Sequence, residues 1–153
     1  MFESKLKELG IELELPPKPL AAYVPAVRVG DFVFTSGQVP MENGELKCAG
    51  KVGKDVSVEE AQSAAKICAL NCLKAVKSVA GTIDKIEQIV KLTVFVNSAE
   101  GFTDQPKVAN GASEFMQEVF GEAGKHSRAA VGVNELPIDS AVEIEMIVKL
   151  KEE

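Results

Sequence analysis

The side chains best able to do chemistry are few: a single histidine, His126, three cysteines, Cys48, Cys68 and Cys72, and an arginine, Arg128, set in the run HSRAAVGV. A charge inside a segment that otherwise reads as a strand is unusual. Its planar guanidinium suits a carboxylate, which it can hold through two parallel donors. Two carboxylates follow in the run AVEIEMIVKL, Glu143 and Glu145, and a carboxylate can hold or deprotonate a water. Ser36, in TSGQ, would need a base to act as a nucleophile, and nothing in the sequence pairs it with His126. One histidine also cannot supply the two imidazoles of a ribonuclease acid–base pair.

Other chemistries are excluded by what is missing. There is no G-x-G-x-x-G, no G-x-x-x-x-G-K-[ST] and no G-x-S-x-G, so neither a phosphate cradle nor a nucleophile elbow is encoded. Three cysteines without C-x-x-C spacing make neither a disulfide framework nor a zinc site, and no metal is expected. Cys68 and Cys72 stand four apart in a helical pattern, and we read them as small buried hydrophobes. Lys and Arg number 17 against 23 Asp and Glu, a net charge of −6, which argues against nucleic acid and anionic membrane as partners. No apolar run reaches the roughly 18–20 residues of a membrane helix. The first residues, MFESKLKELG, lack a signal-peptide core, so a cytoplasmic protein is expected.

These residues must be positioned by one domain, since 153 residues at 46% hydrophobic and 26% charged composition suit a single globular core. We expect residues 1–153 to form that domain, with 1–20 as an N-terminal helix and a Pro-rich arm. Phe2, Leu6 and Leu9 share one side of the helix and Gly10 ends it; Pro16, Pro17 and Pro19 then enforce an extended arm. Residues 23–29 and 31–39 read as strands turning at Gly30, and Asn43-Gly44 closes a hairpin. Ser57 and Glu60 form a capping box for a helix whose stripe is Ala61, Ala65, Cys68, Cys72, Val76 and Val79, ending at Gly81. Residues 86–97 alternate as a strand, with Val90, Leu92, Val94 and Val96 on one face and Ile89, Lys91, Thr93 and Phe95 on the other. A second helix runs from about Asp104 to Phe120, with Val108, Ala112, Phe115, Met116 and Val119 buried, and strands follow at 126–133 and 141–150.

The order predicts an α+β fold, a sheet with two long helices on one face. The last two strands, joined by NELPIDS, are expected to pair as a hairpin around Leu136-Pro137. That register would set Arg128 near Glu143 or Glu145, on the face away from the helices, where a cross-strand salt bridge is the plainest reading. The uncovered face would carry Phe95, Ala130 and Ile147 among polar residues, a candidate surface for self-association.

Several segments together resemble the reactive-intermediate deaminase family (Rid, also called YjgF, with the older label L-PSP endoribonuclease). They are AAYVPAVRVGDFVFTSGQVP, VKLTVFVNSAEGF, the region of Asn110, and SRAAVGVNELPIDSAVEIEMI, which is the most specific. The resemblance implies a chorismate-mutase-like homotrimer, its uncovered sheet face turned inward and its sites in the clefts between subunits. It implies hydrolysis of enamine or imine intermediates, such as 2-aminoacrylate and 2-iminobutyrate, to 2-keto acids and ammonia. No cofactor is implied, since water adds directly to the electrophilic C=N carbon. Position by position, Arg128 matches the arginine that clamps the substrate carboxylate and Glu143 the glutamate that orients the water. Tyr23, Ser36, Gly37 and Asn110 match pocket-lining positions. The chain departs from archetypal members at Ala130, where cysteine is frequent, in the longer loop SAEGFTDQPKVA, and in the added arm. His126 so close to the arginine is similar to a longer branch of the family.

Two further functions use the same residues differently. A non-enzymatic trimeric binder of small carboxylates would need Arg128 but not Glu143. A ribonuclease or translation inhibitor, as the older label suggests, is disfavoured by the acidic charge and the single histidine.

Overall fold

The two long helices start and stop where the sequence partners their loose ends. In a computed structural model, which describes residues 1–18 and 21–153, helix α2 spans Val58–Ala80. Ser57 Oγ accepts from the Glu60 amide at 3.1 Å and the Glu60 carboxylate accepts from the Ser57 amide at 3.0 Å. This satisfies two of the donors that a helix start leaves open. Ala61, Ala65, Cys68, Cys72 and Val76 are fully buried on its inner stripe. Val79 is not part of that stripe: in the last turn Ala80 points inward and Val79 is 37% exposed. Helix α3, Gln105–Phe120, buries Val108, Ala112, Phe115, Met116 and Val119 as its spacing requires. The short helix α1, Phe2–Glu8, packs Phe2 against Phe120, the two rings tilted by 55° with centroids 4.6 Å apart. Residues 11–18 form neither helix nor strand, and Pro19 lies outside the described residues.

The strands are β1 (Ala26–Val29), β2 (Phe32–Thr35), β3 (Met41–Glu42), β4 (Glu45–Leu46), β5 (Ile86–Asn97), β6 (Ser127–Val133) and β7 (Val142–Leu150). The first two are shorter than the sequence suggests; beyond Thr35 only Gln38 bridges onward, to Ile144. β3 and β4 form a small separate hairpin across Asn43 and Gly44, both at positive φ, the backbone that a two-residue hairpin turn demands. The five-stranded sheet runs β1-β2-β7-β5-β6, mixed rather than purely antiparallel, with α2 and α3 on one face.

This order overturns the expected β6–β7 hairpin. β5 lies between them, pairing parallel with β6 and antiparallel with β7. The physical reason is burial. Val142, Ile144, Met146, Val148 and Leu150 of β7 are at most 1% exposed, and each such side chain contributes about 1.5–3 kcal/mol when removed from water. That gain requires the centre of the sheet under α2. β6, with Ser127, Arg128, Ala129 and Gly132, has little to bury and takes the edge, reached from β5 through α3.

The face assignments shift in two places. A register irregularity between Ile89 and Lys91 changes the phase of β5, so Ile89 is fully buried and Val90 only partly so, the reverse of strict alternation. Ala130 pairs with Val94 and packs against the core, so it is on the helix face. The uncovered face carries Phe95 and Ile147 as expected, with exposed Val27, Val29, Phe32, Phe34 and Val131. Among the described residues no helix is long and apolar enough to cross a membrane.

Candidate functional site

Arg128 is second in β6, opposite Leu92, and therefore shares the helix face of the sheet. The expected place for it, on the open face against Glu143 or Glu145, is wrong because it assumed the hairpin. Arg128 takes part in none of the ion pairs among the described residues. Its Nη1 donates instead to Asn110 Oδ1 at 2.8 Å and to Ser113 Oγ at 3.2 Å. Asn110 and Ser113 stand three apart on α3, so both face the sheet edge. α3 can come this close to α2 because Gly111 is a glycine: a Cβ there would collide with the backbone of Gln62.

His126 joins the same cluster. Its Nε2 is 2.9 Å from Ser113 Oγ and its Nδ1 is 2.6 Å from the Gly124 carbonyl oxygen. A carbonyl only accepts, so Nδ1 carries the proton and Nε2 is the acceptor for the Ser113 hydroxyl. Burial, and then the Arg128 charge, lower the pKa of His126, which keeps the ring neutral. Ser113 is buried, but the guanidinium is exposed at a cavity of about 540 Å³ lined by Asn110, Glu114, Lys125, His126 and Arg128.

The other predicted residues form a second group. Glu143 points from β7 to the open face, half-buried. Gly37 approaches so closely that a Cβ there would run into Glu143 Oε1. Burial raises the pKa of Glu143, and the neighbouring Glu145 raises it further. No hydrogen bond from the described residues reaches its carboxylate. The Ser36 hydroxyl is committed, donating to the Val24 carbonyl at 2.6 Å, so it fixes the segment that carries Tyr23 rather than offering a nucleophile. Exposed Tyr23 lines a cavity of about 410 Å³ with Gly37, Gln38, Asn71 and Lys74.

Within one chain the two groups do not meet. Glu143 aligns through Phe95 with Val131; strand spacing and rise put its Cα roughly 14 Å from that of Arg128, and the side chains leave opposite faces. The structure thus brings Arg128 to Asn110 and Glu143 to Gly37, whose neighbours Ser36 and Tyr23 belong to the same side, but not one pair to the other. The sequence reading missed Ser113 and the pairing of His126. The signals for both were present, as Ser113 is one helical turn from Asn110 and His126 stands two residues before Arg128, just ahead of β6. The buried thiols take no part. Cys72 donates to the Ile144 carbonyl at 3.3 Å and burial pushes its pKa to about 12, while Cys68 is raised well above the usual thiol range.

The family described as "YjgF/chorismate_mutase-like, putative endoribonuclease" matches residues 3–150. The chain is 41% identical over 148 residues to Protein TCP17 of Trypanosoma cruzi, covering 96% of this chain and 92% of that protein. It is 36% identical over 138 residues to the 2-iminobutanoate/2-iminopropanoate deaminase of Salmonella typhimurium, covering 90% and 94%. The crystal structure of the protein Atu1372 from Agrobacterium tumefaciens superposes with a TM-score of 0.90 at 44% identity, over 98% of this chain and 93% of that one.

Proposed function

The chain belongs to the YjgF/chorismate mutase-like family, and we propose that it hydrolyses carboxylate-bearing enamines or imines to 2-keto acids and ammonia in clefts between the subunits of a homotrimer. The observation that carries this reading is the state of Arg128: an exposed cation, anchored by the neutral acceptors Asn110 and Ser113, with no carboxylate among the described residues in ion-pair contact with it. Such a group is set to receive an anion. Glu143, with a raised pKa and no hydrogen-bond partner among the described residues, is suited to take a proton. The two stand on opposite faces of one sheet, so a site using both takes Arg128 and Asn110 from one copy and Glu143, Gly37, Ser36 and Tyr23 from the next. The uncovered face with Val27, Val29, Phe32 and Phe34 gives the copies a surface to share. The deaminase name of the Salmonella relative supports the same chemistry.

The steps follow from these roles. Arg128 holds the substrate carboxylate beside the C=N carbon. Glu143 accepts a proton from water as the new C–O bond forms and the C=N electron pair moves to nitrogen, which takes a proton from solvent to give the carbinolamine. Glu143 then returns its proton to the amine as the C–N bond breaks, so that ammonia leaves, and the hydroxyl proton passes to solvent as the carbonyl forms. The substrate is reactive, so placement supplies much of the acceleration. The test is release of 2-keto acid from freshly generated 2-aminoacrylate or 2-iminobutyrate. Acceleration by the wild type that is lost in Glu143→Gln supports the reading. Binding of 2-oxobutyrate without any acceleration assigns the chain to the non-enzymatic binders instead.

A further inference from the structure

Arg128 sits at the end of a directional hydrogen-bond chain that neither the sequence reading nor the proposed mechanism uses. Gly124 O fixes the proton of His126 on Nδ1. Bare Nε2 then takes the hydrogen of Ser113, and the Ser113 oxygen is left with only lone pairs to offer, which Arg128 Nη1 meets. Nη1 carries two hydrogens and has two acceptors, Asn110 Oδ1 and Ser113 Oγ. Among the described residues Nε and Nη2 have no partner, and the guanidinium faces the 540 Å³ cavity.

We propose that Ser113 and His126 are positioning residues that lock Arg128 through Nη1, so that the clamp takes the carboxylate side-on through its Nε–Nη2 edge. This rests on the reading of Arg128 as the carboxylate clamp and adds what sets its orientation. A guanidinium with all five donors free can turn and bind an anion by either edge. Here one nitrogen is saturated by neutral acceptors, which leaves the full charge and a single two-donor edge for the ligand. Without His126 the Ser113 hydroxyl is free to turn its hydrogen elsewhere, and its oxygen is no longer committed to Arg128.

The test uses the whole protein, with 2-oxobutyrate as the binding probe and 2-iminobutyrate as the substrate. Ser113→Ala is expected to weaken 2-oxobutyrate binding and raise KM by roughly tenfold while kcat stays within about twofold, since it loosens the clamp and not the water. His126→Leu should do the same more mildly. His126→Gln, whose amide oxygen can accept the Ser113 hydrogen, should restore most of the affinity. In an Arg128→Ala background, Ser113→Ala should add nothing. On binding of 2-oxobutyrate to the wild type, the Arg128 Nε–H resonance should shift. Wild-type protein that binds no 2-oxobutyrate overturns the clamp and this inference together. Wild-type binding with unchanged affinity in both Ser113→Ala and His126→Leu, or with no shift at Nε, overturns the inference alone and leaves the clamp standing. Should Ser113→Ala fail to fold, the His126→Leu and His126→Gln pair decides by the same criteria: equal affinities for the two overturn it.

Discussion

Arg128 lies in a run of four hydrogen bonds that passes from Asn110 through Ser113 and His126 to the Gly124 carbonyl, whereas none from the described residues touches the Glu143 carboxylate. The two groups also differ in how they are held. Arg128 is on an edge strand of mostly small residues and needs side chains from α3 to fix it. Glu143 is on the central strand between fully buried Val142 and Ile144, so the backbone alone fixes where it starts. The contrast matches the tasks proposed for them. An anion clamp has a constant charge and gains from rigid partners, while a group that must take a proton gains from empty lone pairs and a raised proton affinity.

The sharpest break in that contrast is Glu143→Gln. It should lower turnover by at least about a hundredfold, the ordinary worth of a positioned general base, while 2-oxobutyrate binding stays within about twofold. Mixing this variant with Arg128→Ala before assembly tests the division between copies. If the chain forms the proposed trimer and each site draws one group from each of two neighbours, randomly mixed assemblies should regain activity in about a quarter of their sites. Mixtures as inactive as either parent would place both groups in one copy's site and contradict the geometry.

Arg128→Ala should weaken 2-oxobutyrate binding by about ten- to a hundredfold, as expected for loss of a charged hydrogen-bonded contact of about 1.5–3 kcal/mol. Arg128→Lys should fall between, because an ammonium lacks the planar fork. The melting temperature should move little, as no ion pair among the described residues is broken. A large drop would mean that Arg128 chiefly braces β6 against α3.

Gly37→Ala acts on the other group alone. The new Cβ must displace the Glu143 carboxylate, so kcat should fall by roughly tenfold, since a base moved by a fraction of an ångström still functions poorly. Calorimetry should find the affinity at Arg128 unchanged.

The sequence made the Glu143 side of this contrast legible and hid the Arg128 side, for one physical reason. Alternation along β7 put Glu143 opposite the buried Val142, Ile144, Met146 and Val148, and a two-residue period is a local property. Helix ends were equally local: Ser57 with Glu60, and the Gly81 stop. The partner of Arg128 depended on which strand lies beside β6, which no local pattern encodes, so proximity in sequence suggested β7 where the sheet has β5. The irregularity near Val90 was hidden as well, since an extra residue in a strand costs no change in composition. The family resemblance supplied the correct fold without supplying Ser113 or the partner of His126.

The smallest expected effect separates the two groups by the sign of their pH dependence. Glu143 has its pKa raised in the folded protein. The fold therefore binds its proton more tightly than the unfolded chain does, a contribution present in full below the usual glutamate range and lost as pH rises through the raised value. At pH 7 the ionised carboxylate carries its burial and its repulsion from Glu145, so Glu143→Gln should melt higher than the wild type. Because the group is only half-buried, solvent screens most of this, and the gain should be about 1–2 °C, closing below about pH 4. His126 has its pKa lowered, so the fold favours its neutral form. Its contribution is present above about pH 6.5, the usual histidine value, and is lost as pH falls through the lowered value. Removing that titration with His126→Gln should flatten the acid-side loss while leaving the Glu143 limb in place. Melting temperatures of the wild type and both variants from pH 4 to pH 8 should thus diverge in opposite directions, Glu143→Gln gaining towards pH 8 and His126→Gln gaining towards pH 4. If both variants track the wild type across that range, neither group is held in the environment described for it.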